Sequence, residues 1–420
     1  LLKLATDFSA LISLTMKKRY ISLDVLRGLT VTFMCIVNNP GSWNHIFTPL
    51  EHAKWIGCTP TDLVYPFFIF CMGCAMAFSF SKYDGLTKAA FWKIIKRGVA
   101  IFLVGLFLNL FPFFPTSLHD DTMSFGQNFI YWLGHKRIFG VLQRIGMCYI
   151  IAGIIALWLK KPLKIMISIV VLFGLYTGIL VAGGSYPGPF TLEGTVSRKI
   201  DVALVGENHV YHGYHFDRDY LVQQELIDNH HDISHEKIDT TANFDPEGPL
   251  GALTGSCTAL LGFLIGSVIL RTHKRREANP DSVNNSPTYL DARLYSISAI
   301  ALALGCILSI WIPISKPLWS ASYVLYAGGW AIFALAFFAF IVDVKGDQKI
   351  FTPFIAMGTN PLVAFVTSGI LAKTIMIIGW HPSSVFGANE YTSLLYAVLF
   401  MLVIFSIQWT LYKKKIIIKL

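Results

Sequence analysis

The chain has 420 residues, of which 54% are hydrophobic, 14% aromatic and 14% charged, with a formal net charge of +9. Soluble domains carry about 25% charged residues. That shortfall, together with repeated apolar runs, excludes an ordinary soluble globule and points to an all-α polytopic membrane protein. The positive charge need not mean nucleic acid, because Lys and Arg gather in short runs at the ends of the apolar segments, as membrane topology demands.

Residues 1–16 read as a lead-in with no cleavage signal or as a mis-set start before Met16-Lys17-Lys18-Arg19, and 17–420 as one transmembrane domain. Ten spans are predicted: about 21–39, 61–80, 95–114, 138–159, 163–183, 249–270, 291–312, 321–342, 353–378 and 392–411. Basic residues mark every second connection: Lys17 to Arg19, Lys82 to Arg97, Lys160 to Lys164, Arg271 to Arg276, Lys345 and Lys349, and Lys413 to Lys415. These connections are expected on the cytoplasmic side with both termini. Segments 40–60, 115–137, 184–248, 313–320 and 379–391 then face outward, and 184–248 is the one sizeable extracytoplasmic loop.

Span 1 opens Ser22-Leu23-Asp24-Val25-Leu26-Arg27-Gly28. Asp24 and Arg27 are three apart on one helical face, so they either pair at the interface or help bind a ligand. Asn38 ends the span before Pro40. Its amide could cap the helix or donate to a reacting carbonyl.

The next connection carries Glu51-His52-Ala53-Lys54-Trp55-Ile56-Gly57, followed by Thr59, Thr61 and Asp62. An imidazole at a membrane mouth can exchange a proton near neutral pH. Trp55 suits the interface, and Thr61-Asp62 could cap span 2 or orient the imidazole. Cys71 and Cys74 have CxxC spacing, but they lie in an apolar helix with no second ligand pair and read as packing.

Gln143 and Arg144 fall inside the apolar pattern of span 4. An intramembrane Arg faces the bundle interior and pairs with an acid or an anionic ligand such as pyrophosphate. The loop histidines are His209, His212, His215, His230, His231 and His235. Their spacing fits a zinc site poorly, so a solvated loop is expected. The loop closes with Phe244-Asp245-Pro246-Glu247-Gly248, and Asn360-Pro361 should interrupt span 9 and expose backbone groups.

Several motifs occur in order along residues 18–418. They are SLDVLRG from Ser22, Val37-Asn38, EHAKWIG from Glu51 and DLVYP from Asp62. GVLQRIG from Gly140, FDPEG from Phe244, LWSASYV from Leu318 and VDVKG from Val342 follow. Together they resemble heparan-α-glucosaminide N-acetyltransferase and its bacterial relatives.

The resemblance implies transfer of an acetyl group from acetyl-CoA, across a membrane, to the amine of a glucosamine-type sugar, with no metal. It puts the active-site histidine on His52, as general base or acetyl carrier, and the asparagine beside the acetyl group on Asn38. The stretch between these two is a few residues longer than the animal pattern.

CoA's phosphates require cationic or polar contacts, for which Arg144, Arg27, Arg97 and Gln143 are the candidates. Trp55, Asp62, Glu247 and Asn360 are the candidates for the sugar. The expected partners are the bilayer, acetyl-CoA and the sugar, with a homodimer by analogy and no nucleic acid. The expected location is a bacterial inner membrane. The competing readings are an amino-sugar permease without acyl transfer and an O-acyltransferase.

Overall fold

The computed structural model describes residues 20–116, 119–120, 122–229, 240–279, 282–283 and 286–418. The lead-in, Lys17 to Arg19, and His230, His231 and His235 lie outside the described residues.

A helix stands where each of the ten spans was expected. Among the described residues, seven of these are long and apolar enough to cross a membrane: Pro60–Phe80, Val141–Leu159, Pro162–Gly183, Ala252–Ala278, Pro287–Leu308, Ala321–Val344 and Glu390–Lys413. Lys349–Thr359 and Pro361–Ile377 together make an eighth, bent by 70° at Asn360. The break expected at Asn360-Pro361 is therefore present, because the proline ring cannot sit within a continuing helix. Ile21–Val37 has only 17 residues, and the first half of Lys88–Leu110 holds Lys88, Lys93, Lys96 and Arg97. Those two helices fall short of a full apolar span by length and by charge respectively.

Helix starts carry the residues that satisfy free backbone N–H groups. The turn Pro60–Leu63 is boxed by Thr59 and Asp62, Ser320 caps Ala321–Phe338, and Asn389 and Thr392 box Glu390–Lys413. The last turns of the Ala321–Val344 span widen into a π-helix over Ala339–Val344, whose Asp343 accepts from the backbone N–H of Ser22.

Glycines allow the closest helix contacts. A Cβ on Gly73 would lie 2.0 Å from the carbonyl oxygen of Ala259, and one on Gly262 would lie 2.1 Å from that of Phe70. The helices Val64–Phe80 and Ala252–Ala278 thus touch backbone to backbone, the contact small residues provide between helices in lipid. Gly28 and Gly358 do the same for Ile21–Val37 against Thr352–Thr359.

The segment between Gly183 and Ala252 folds over one end of the bundle. It contains the helices Val196–Val205 and Arg218–Asn229 and a two-residue antiparallel pair in which Tyr214 faces Ala242 and His215 faces Thr241. Its small core is Leu192, Ala242, Phe244 and Leu318, with Trp55 and Tyr214 packed against it. Cys71 and Cys74 are buried free thiols in helix packing.

Candidate functional site

The connections expected to face one side do meet at one end of the bundle. Trp55 Nε1 donates to the carbonyl of Phe190 (2.7 Å), and the Gly57 N–H donates to Ile314 (2.8 Å). Arg137 binds both Asp245, at 2.6 and 2.9 Å, and Glu247.

At the centre of this end is Asp62, whose side chain is 1% exposed. One carboxylate oxygen lies 2.7 Å from His52 Nδ1. The other accepts from the backbone N–H groups of Ala53 and Thr59, both at 3.0 Å, and lies 3.1 Å from the Thr59 hydroxyl. The Asp62 carbonyl accepts from the buried Tyr323 hydroxyl (2.6 Å). Asp62 therefore cannot swing, and the imidazole it holds is 45% exposed. Of the two sequence readings for Thr61-Asp62, Asp62 fulfils both: it boxes the turn and it orients the ring.

A third group completes the cluster. Lys316 Nζ is 2.9 Å from His52 Nδ1, 3.4 Å from Nε2 and 3.3 Å from Asp62 Oδ1. Burial pulls the Lys316 ammonium below the ordinary lysine range, while the nearby Asp62 and Glu247 carboxylates pull it partly back.

Sequence reasoning missed Lys316, although one signal pointed to it. It is the only basic residue in the 313–320 connection.

The other candidates divide by place. Trp55 stacks edge-on against Tyr214 and Phe244 beside the His52 segment. Glu247 is held by Arg137, whose own burial is outweighed by Glu247 and Asp245, so its pKa stays above the usual arginine value.

Gln143 donates to the carbonyl of Ile138 at the start of its helix. Arg144 is 1% exposed, donates to the Gly248 carbonyl (3.0 Å) and lies over Trp319. Its Nε and Nη1 have no partner.

Across Gly248 from Arg144 is Asp201, which is fully buried. Burial, then the charge of Asp245, pushes its pKa up to about 8. Asp201 was not singled out in the sequence.

Asn38 occupies the C-cap position of Ile21–Val37 with an exposed side chain. The amide that returns to the helix is that of Asn39, on the Cys35 carbonyl (2.9 Å). No hydrogen bond joins Asn38 to His52, though the helix leading to Asn38 packs against the Pro60–Leu63 turn that carries Asp62.

Arg27 pairs with Asp24 (3.0 Å) in the opening turns of its helix, and Arg97 lies over the Tyr149 ring. Asn360 is buried at the helix bend. It donates to the Ile416 carbonyl (2.9 Å) and accepts from the Ile418 N–H (2.8 Å), so its side chain fastens the C-terminal segment and is not brought to His52.

Of the loop histidines, His209 bonds the Lys136 carbonyl and His215 lies by the Thr240 hydroxyl. No group of three or more potential metal ligands occurs among the described residues.

The fold and this site define a polytopic α-helical membrane protein that presents a histidine, a buried carboxylate and a lysine at one mouth of its bundle. Residues 19–201 match the model of a family described as heparan-alpha-glucosaminide N-acetyltransferase, catalytic. The human protein named heparan-alpha-glucosaminide N-acetyltransferase is 28% identical over 404 residues, covering 82% of this chain and 52% of the human one. The mouse protein of that name is 25% identical over 443 residues, covering 95% and 60% respectively. The chain is thus similar to heparan-alpha-glucosaminide N-acetyltransferases over most of its length. It spans between about half and three fifths of the length of these two curated relatives.

Proposed function

We propose that this protein is a transmembrane N-acetyltransferase that moves an acetyl group from acetyl-CoA to the amine of a glucosamine-type sugar. The observation that carries the reading is the His52–Asp62 pair. A fixed carboxylate on Nδ1 selects the tautomer whose Nε2 is free to take a proton, the role such a carboxylate plays in other acyl-transfer sites.

The reaction needs little more, because a thioester is already activated. The sugar ammonium gives up one proton to become a nucleophile. The amine nitrogen attacks the thioester carbonyl, His52 Nε2 takes the second proton as the C–N bond forms, and the C–S bond breaks. The CoA thiolate leaves with the proton returned from His52, and one proton is released overall.

Arg144 suits an anionic part of the donor in its chemistry, since two of its buried donors are unused. Reaching them requires the 245–251 segment to move, because Gly248 and Gly251 cover the guanidinium. A neutral Asp201 beside it would not repel an anion. The basic connections at the far end support an extracytoplasmic position for His52 and cytoplasmic termini.

The test is acetyl transfer from labelled acetyl-CoA to glucosamine by the purified protein, with His52→Ala alongside. Product from the wild type and none from the variant is expected. Uptake of amino sugar into proteoliposomes with no acetylated product would favour a permease instead.

A further inference from the structure

The connection between Lys88–Leu110 and Val141–Leu159 contains a ten-residue helix, Phe125–Gly134, started by a capping box of Ser124 and Gln127. It is too short to cross a bilayer, which takes about 20 residues. Its burial pattern is inverted. The one buried residue is the polar Asn128, whereas Phe125, Ile130 and Leu133 are 62, 71 and 45% exposed. Phe125, Phe129 and Leu133 stand about one turn apart on one face, with Ile130 beside them. No residue of this helix is charged.

The chain before the helix folds onto its polar side. Asn128 Oδ1 accepts from the backbone N–H groups of His119 (2.8 Å) and Asp120 (3.2 Å), and its Nδ2 donates to the carbonyls of Asp120 and Met123. Tyr131 is stacked between the imidazoles of His119 and His135, with ring centroids 3.7 and 3.9 Å apart. Phe125, Ile130 and Leu133 take no part in these contacts. An apolar helix face normally turns to a core, and this one turns outward.

The neighbouring helix shows what lies against it. Along Lys88–Leu110, Val99, Leu103 and Phe107 form an exposed apolar stripe at every fourth residue, the side such a helix presents to lipid. The Phe107 ring lies 5.0 Å from that of Phe113, and Phe113 and Phe114 are exposed as well, so the stripe runs on past the helix end. Asn109, in the last turn, donates to the carbonyl of Arg137 (3.0 Å), just beyond Gly134. The short helix therefore exits at the level where the lipid-facing stripe ends. Trp132 and Lys136 mark the same boundary. The Lys136 ammonium lies 4.4 Å from the Trp132 ring centroid, and both residue types favour the level where hydrocarbon meets headgroups.

We propose that Phe125–Gly134 is an interfacial helix that lies on the bilayer at the His52 end of the bundle. Phe125, Phe129, Ile130 and Leu133 enter the acyl boundary, and the Tyr131 stack faces water. Helices of this kind bury their apolar face about 5–10 Å into that boundary. The partner is the phospholipid surface itself, and no headgroup charge is required, because the helix has none of its own to match. The chain leaves this helix directly into Arg137, which holds Asp245 and Glu247. Lipid contact thus sets the height of that cluster over the membrane. The placement is independent of the acetyl-transfer reading.

Nitroxide labels read the placement without turnover. Cys306 is exposed, so Cys306→Ser forms the background. Ile130→Cys, Leu133→Cys and, on the opposite face, Gln127→Cys are each labelled in the full chain and placed in nanodiscs of zwitterionic phospholipid. Collisions with oxygen, which partitions into lipid, are compared with those of a water-soluble nickel chelate. At 130 and 133 oxygen should exceed the chelate several-fold, and at 127 the chelate should prevail. Chelate dominance at 130 and 133 would overturn the proposal by putting that face in water. Exclusion of both reagents there would overturn it by showing protein over the face, a second copy of the chain included.

Discussion

Replacing Asp201 by asparagine probes the buried acid above Arg144. The carboxylate is fully buried, and burial with the charge of Asp245 raises its pKa from 3.8 to about 8. Between those values the unfolded chain has released the proton and the folded chain has kept it. Wild-type stability therefore falls as pH rises, by up to about 1.4 kcal/mol for each pH unit. The cost is absent below about pH 4 and fully present above about pH 8. Over the whole interval the ceiling is about 6 kcal/mol, and relaxation around a buried charge should reduce it to about 2–4 kcal/mol. Asparagine does not titrate, so Asp201→Asn should match the wild type near pH 4.5 and exceed it progressively toward pH 8.5. Thermal unfolding in detergent micelles across that range measures the difference. A difference that does not change with pH would refute the reasoning. So would a wild type that gains on the variant as pH rises, because the carboxylate would then be ionised and stabilised by Arg144.

Asp62→Asn should leave the protein folded but lower acetyl-transfer kcat by at least about 100-fold, the lower range for lost acid–base assistance. Arg137→Met should destabilise by about 3–5 kcal/mol, because it leaves the buried Asp245 without its cation; thermal unfolding checks this. Gly262→Ala should cost about 1–3 kcal/mol or abolish folded yield, since the new methyl meets the Phe70 carbonyl oxygen; monodispersity on size-exclusion chromatography reads the outcome.

The spans were legible because apolar runs in lipid have little choice but helix. Asn360-Pro361 showed the break for the same local reason, whereas the use of the Asn360 side chain to hold Ile416 and Ile418 depended on a fold-level contact. His52 and Asp62 were readable together because ten residues and one capped turn separate them. Lys316 is 264 residues from His52, and no periodicity links the two. Asp201 is one of many acids in the 184–248 segment, and only the fold sets Gly248 against its carboxylate. Asn38 shows the opposite limit: its position at a helix end was readable, but which of two adjacent amides turns back to cap the helix depended on backbone geometry.

The backbone contact between Val64–Phe80 and Ala252–Ala278 leaves no room for a molecule to slip between them. Those two helices form a fixed wall, with Asp62 set at its rim. Any passage that brings a long, flexible donor to His52 must therefore open elsewhere, where fewer side chains interlock.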